Sequence, residues 1–206
     1  MRDADRNIIF DCAVTLANTI TEQCDALVEL CDYIEERVPI SRRIASFESN
    51  ADESFHNLGF YFLAHTLMSD PDAVALLEVV KALEQITDCF EVLANSFVRY
   101  NVTTSGELLS ECSTALYGAC RMTQDIVIYL RDKAPSSLIL RDVTSLDKYK
   151  SKYCKYYDDA ILELFSGNID AVELIRSKAI YDAFKVLFES FETLSEKCYL
   201  FIISYY

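Results

Sequence analysis

The chain has 206 residues, a formal net charge of −14 and a pI near 4.5, and 51% of it is hydrophobic with only four glycines and three prolines. An acidic balance of this size argues against nucleic acid as a partner, because duplex binding needs a basic footprint to neutralise phosphates. Scarce helix breakers predict long helices, and the length suffices for one domain or two small bundles.

The first predicted helix carries Ile9, Ala13, Leu16, Ile20, Cys24, Leu27, Cys31 and Ile34 at three- and four-residue steps, a bundle-facing stripe. It is expected to end before Val38-Pro39, since a residue preceding proline is pushed out of the helical region. The second runs from about Ile40 to Leu67, with Ile44, Phe47, Ala51, Phe55, Leu58 and Phe62 on its buried side. SDPDA, Ser69 to Ala73, stops and restarts the chain: proline suits a first turn, and Ser or Asp can cap it. The third helix repeats the stripe through Leu76, Val80, Leu83, Thr87, Phe90, Ala94 and Phe97.

VTTSGE, Val102 to Glu107, is the next break, with Thr103 to Ser105 as capping candidates. A fourth helix follows with Leu108, Cys112, Ala115, Ala119, Met122, Ile126 and Tyr129. Proline, serines and mixed charge in DKAPSSLILRDVTS, Asp132 to Ser145, predict the principal connection between helices. The fifth helix is expected from about Leu146 to Phe165, ending at SGN with Gly167 in the left-handed conformation. The sixth starts near Ile169-Asp170 and continues to the C-terminus. Six long helices and no strand pattern predict an all-α protein. Helices two and three echo helices five and six, which predicts a single domain with an internal repeat, roughly 1–101 and 102–206, as paired three-helix layers.

Eight cysteines without a CxxC pair argue against a zinc knuckle. MRDADRNIIFDC has acids where an export signal would be basic, so a reducing cytoplasmic location is expected, with the thiols as small core hydrophobes. The closest apolar run, CYLFIISYY at Cys198 to Tyr206, is too short to cross a bilayer.

Glu48 and Asp52 in FESNADESFH lie four apart and share a helix face; Glu84 and Asp88 in ALEQITDCFE do the same, with Glu91 a turn on. Asp52 precedes Asp70 by 18 residues and Asp88 follows it by 18, so an antiparallel hairpin brings the two aspartates to one level. Converging carboxylates raise one another's pKa unless a cation compensates. Such a site suits hard or intermediate divalent cations, and His56 shifts the preference toward iron, zinc or nickel. The alternative is that each pair is a solvated flank matched by lysines or arginines. His65 has no carboxylate at helical spacing and is expected to be structural. No serine or cysteine stands with a histidine in a nucleophile motif, and no glycine loop cradles phosphate. KYKSKYCKYY is expected to supply core tyrosines, Tyr149, Tyr153 and Tyr156, with a solvated lysine edge.

FESNADESFH, the DP turn, ALEQITDCFEVLANSF and AILELFSGNIDAVELIRSKAIYDAF, in that order over about Leu27 to Cys198, resemble the PhoU-like phosphate-transport accessory proteins encoded beside Pit-type phosphate permeases. The resemblance implies two tandem three-helix bundles, each able to carry a multinuclear metal cluster on ExxxD carboxylates. Glu48, Asp52, Glu84 and Asp88 match the motif, and His56 falls where members often have histidine. The second repeat departs from it: Lys150, Cys154 and Lys185 replace three of four expected carboxylates, and Glu189 retains one. Metal is therefore expected in the first bundle only, with Lys150 and Lys185 pairing with Glu189 or Asp182. The implied function is non-enzymatic regulation of phosphate uptake, by a homo-oligomer, a dimer as first expectation, docked to a Pit-type permease at the inner membrane face. A metal-dependent hydrolase or oxidase on the same carboxylates, or a structural helical oligomer without ligand, remain open at this point.

Overall fold

The computed structural model describes residues 1–104, 107–167 and 169–206, without the side chains of residues 107, 108 and 110. Its elements are α1 (Asp3–Asp32), α2 (Arg37–Ala64), α3 (Pro71–Arg99), α4 (Glu107–Arg131), α5 (Ser136–Ser166) and α6 (Ala171–Tyr205), with short 3-10 turns at Ile34–Glu36 and Leu67–Ser69. Among the described residues there is no strand, as the sequence predicts for an all-α bundle.

The stripes become the core. Ile9, Leu16, Ile20, Cys24 and Leu27 of α1, and Leu76, Val80, Leu83, Phe90 and Phe97 of α3, are fully buried. At the 3.6-residue period each such helix turns one face inward along about 45 Å of length.

Three boundaries differ from expectation. α1 ends ahead of Val38-Pro39 as expected, at Asp32, where the chain corners at Tyr33 and the 3-10 turn, but Val38 is not pushed out of the helical region: it lies within α2. Pro39 instead sits in the first turn of α2, where a missing N–H costs no helical hydrogen bond. Most of Asp132–Ser145 is helix: the link shrinks to residues 132–135, Lys133 taking the positive φ of 55°. Ile139, Val143 and Leu146 are buried at helical spacing there, and that burial outweighs the local preference of the serines for turns. Gly167 ends α5 in an extended conformation, φ −93° and ψ 166°, rather than left-handed. The capping candidate Ser105 lies outside the described residues, as does the Leu108 side chain.

α1, α2 and α3 pack mutually as a closed three-helix bundle. In the second half α5 packs on both α4 and α6, yet α4 and α6 barely touch. The halves join along α1 with α4 and α3 with α6, so the second layer is closed by the first layer rather than by its own third seam. Both joints are antiparallel. Arg6 donates to the carbonyls of Leu130 and Arg131 at one end of α1–α4, and Gln124 reaches Asn18 farther along. Lys197 meets Glu78, while Arg176 reaches the Tyr100 carbonyl at the other end of α3–α6. α4 and α5 approach closely at Gly118, where an added Cβ would stand 2.6 Å from the Tyr149 Oη. The two hairpin tips, α2–α3 and α5–α6, thereby fall at opposite ends of the molecule.

Candidate cation site on the α2–α3 seam

The seam is set by its turn. Thr66 takes the left-handed conformation at φ 54°, a 3-10 turn follows, and Asp70 caps α3 by accepting from the amides of Asp72 (3.1 Å) and Ala73 (3.3 Å), with Pro71 as the first helical residue. An Asp cap followed by proline starts a helix sharply, which fixes the register of everything after it.

From behind, Gln23 of α1 pins that register. Fully buried, its Nε2 donates to the carbonyl of Ile44 on α2 (3.4 Å) and of Thr87 on α3 (3.1 Å), while its Oε1 has no partner. Ile44 is one turn before Glu48, and Thr87 sits between Glu84 and Asp88. In sequence the glutamine shows only as a polar residue lodged next to the Ile20–Cys24–Leu27 stripe.

Glu48, Asp52, Glu84 and Asp88 are all half-buried on this seam, and their charges act on one another. Glu84 is pushed up to about 6 by burial, then by the charges of Asp88, Asp52 and Glu48, with His56 opposing. Burial also raises Glu48, with Glu91, Asp88 and Asp52 adding to it. Asp88 rises by burial and then by Asp52 and Glu91. The predicted register therefore holds, and Glu91 joins the group; it also accepts from Asn95 at 3.2 Å. Among the described residues no lysine or arginine forms an ion pair with any of the four carboxylates, so they are not the lysine-matched flanks that were the alternative.

His56 is exposed, and its Nδ1 lies 3.1 Å from Asp52 Oδ1 on the same helix. His65 is elsewhere, at the end of α2, its ring 4.1 Å from Tyr61. The donor set is oxygen-rich and uncompensated, which is the chemistry a hard cation selects. Among the described residues, no three His, Cys, Asp or Glu side chains converge closely enough to hold a metal ion as they stand. The carboxylates stand open.

The corresponding seam of the second half is neutralised from within. Lys150 binds Glu192 through both carboxylate oxygens (2.6 and 2.7 Å), not Glu189 or Asp182 as expected, because Glu192 is the acid that α6 presents opposite it. Asp182 is held by Lys178 (2.5 Å) and by the Tyr157 hydroxyl (2.7 Å), and Lys185 lies over the Tyr157 ring at 5.1 Å. Cys154 is half-buried beside Tyr153, which is buried as expected and stacks on Phe188 at 4.5 Å.

No helix, among the described residues, is long and apolar enough to cross a membrane. No family model matches the chain, and no curated protein matches it.

Proposed function

We propose that the protein is a non-catalytic, cation-responsive helical accessory factor, whose α2–α3 carboxylates Glu48, Asp52, Glu84 and Asp88 take up a divalent or trivalent metal ion. The observation that carries this is electrostatic: four half-buried acids share one seam with no lysine or arginine ion pair among the described residues, and Glu84 is driven to about 6. A cation relieves that repulsion, and oxygen donors suit hard or intermediate ions. His56, one turn from Asp52, adds the nitrogen donor that favours iron, zinc or nickel. Since the side chains stand open, uptake draws them inward and tightens the seam.

The step from cation to phosphate rests on the likeness of FESNADESFH, ALEQITDCFEVLANSF and the LFSGN-to-IYD segment to PhoU-like proteins. In that reading the protein acts as a homo-oligomer docked to a Pit-type permease at the cytoplasmic membrane face, and the cation state of the seam conditions the docking.

Thermal denaturation at pH 7.5 with added Mn²⁺, Zn²⁺ or Fe²⁺, beside elemental analysis of protein purified without added metal, tests the site. A rise in Tm that disappears in Glu48→Ala with Asp88→Ala is the expected result; bound metal or a Tm rise that survives both substitutions refutes it. Co-purification with the permease, and altered phosphate uptake on deletion, test the second step separately.

A further inference from the structure

α1 and α4 form one of the two joints between the halves, and hydrogen bonds fix its register. Gln124 donates to Asn18 at 2.7 Å, and Arg6 reaches the carbonyls of Leu130 and Arg131, so residue numbers rise along one helix as they fall along the other. Cys24 stands six residues beyond Asn18, a rise of about 9 Å, and Cys120 four residues before Gln124, a rise of about 6 Å. The two thiols therefore lie within one turn of the same level. Cys31 and Cys112, about 20 and 18 Å from the same hydrogen bond, make a second rung.

All four are buried, Cys24 and Cys120 with no exposed surface at all. Each pair also meets electrostatically: Cys24 opposes the ionisation of Cys120, and Cys31 that of Cys112. A single thiol in a core fills space as a small apolar group does. Two thiols brought together across a joint share a chemistry that neither has alone, since the loss of two electrons binds them covalently.

We propose that Cys24 and Cys120 are an oxidisable thiol pair, which a hydroperoxide converts to a disulfide that ties α1 to α4. In the first step one sulfur, as its thiolate, attacks the O–O bond of hydrogen peroxide; it takes one oxygen as a sulfenic acid, and the departing hydroxide collects the thiol proton and leaves as water. In the second, the other sulfur attacks the sulfenic sulfur: the S–S bond forms, the S–O bond breaks, and a second water leaves. Two thiols lose two electrons and two protons, and one peroxide is reduced to two waters. Burial keeps Cys120 protonated, which makes the first step slow and excludes bulky oxidants from both sulfurs. The adjacent partner stops the oxidation at the disulfide, ahead of sulfinic acid. The pair stands apart from the α2–α3 seam, and neither depends on the other.

The test is hydrogen peroxide on the full chain, then alkylation of the remaining thiols and peptide mapping without reductant. The parent is expected to lose the mass of two hydrogen atoms and to yield one linked pair of peptides, carrying Cys24 and Cys120. Because the bridge closes a loop of about one hundred residues, Tm is expected to rise by about 5 °C or more and to fall back on reduction. Cys24→Ala and Cys120→Ala are each expected to abolish the link and the rise, and Cys12→Ala, whose thiol is turned to the Ser54 carbonyl, to keep both. The map of the parent decides the matter even where a variant fails to fold. The proposal is overturned if Cys24 and Cys120 are still alkylated once the partly buried Cys12, Cys89 and Cys154 have been oxidised, if either sulfur ends as sulfinic acid, or if Cys24 is linked to any other cysteine. A link that forms only in urea, or one that lowers Tm, overturns it equally, because the halves must then part before the sulfurs can meet.

Discussion

The hairpins α2–α3 and α5–α6 begin their second helices in the same way, on the carboxylates of Asp70 and Asp170, and then diverge. α1 lies along both helices of the first hairpin, whereas α4 supports α5 and scarcely reaches α6. The enclosed hairpin is packed to its tip and carries acids that repel. The hairpin whose helices rest on different neighbours, α5 on α4 and α6 on α3, leaves its tip unpacked and answers its charges internally, through Lys150 with Glu192 and through Lys178 and Tyr157 with Asp182. One helix lying along both members of the hairpin offsets an electrostatic cost in the first case; in the second, where no single helix spans both, the seam is held by pairs of its own.

The sharpest way to break this contrast lies within the second hairpin. Tyr153 is buried, stacked on Phe188 and bonded through its hydroxyl to the Tyr181 carbonyl at 2.6 Å, so Tyr153→Ala is expected to cost about 3–5 kcal/mol in urea denaturation. Phe165→Ala, three turns farther out, is expected to stay within about 0.5 kcal/mol. A large loss at Phe165 means that this tip packs on something. In hydrogen exchange, amides between Tyr156 and Ser177 are expected to open locally well below the global unfolding energy, while those of Val80 to Ala94 exchange only with it.

A smaller effect probes the self-neutralised seam. Lys150→Glu sets a carboxylate against Glu192 where an ion pair stood. Both side chains are about one-third exposed, so the loss is expected at about 1–2 kcal/mol, from the pair and the new repulsion together. Glu192→Lys in the same chain is expected to restore most of it. Failure of that restoration means that Lys150 and Glu192 do not act on each other.

The helical stripes and the eighteen-residue symmetry about Asp70 were legible in sequence because both follow from fixed periodicity. That symmetry placed Glu48, Asp52, Glu84 and Asp88 on one seam. The start of α5 departs from its sequence pattern because Pro135, Ser136 and Ser137 signal a turn locally, while the burial of Ile139, Val143 and Leu146 that overrides them is a tertiary fact. The pairing of Lys150 with Glu192, rather than with Glu189 or Asp182, is hidden from sequence for a similar reason: helical spacing says which side chains share a face, not which one a neighbouring helix presents. Gln23 is not legible in sequence, because its two partners, the carbonyls of Ile44 and Thr87, are backbone groups that every residue carries. The openness of the carboxylates is likewise a property of their mutual distances, on which spacing along a helix is silent.

The finest discrimination between the hairpins is by pH. The ordinary glutamate value is 4.5 and Glu84 in the fold is at about 6, so the native state holds its proton more tightly than the unfolded chain does. Below about pH 4.5 both states are protonated and the stabilisation is fully present; it is lost as pH rises toward 6. Glu84→Gln removes the charge whose appearance causes the loss. The variant is therefore expected to match the parent at pH 4 and exceed it at pH 7.5 by about 1 kcal/mol, after allowance for solvent screening of a half-buried group, read as a rise in Tm. Glu48 and Asp88, also raised, act in the same direction. Added cation is expected to invert the order at pH 7.5, lifting the parent above Glu84→Gln, because the charge that destabilises the empty seam is the charge that holds the ion. A variant more stable at pH 7.5 whether or not the cation is present reduces the seam to a cluster of repelling acids with no affinity for the ion.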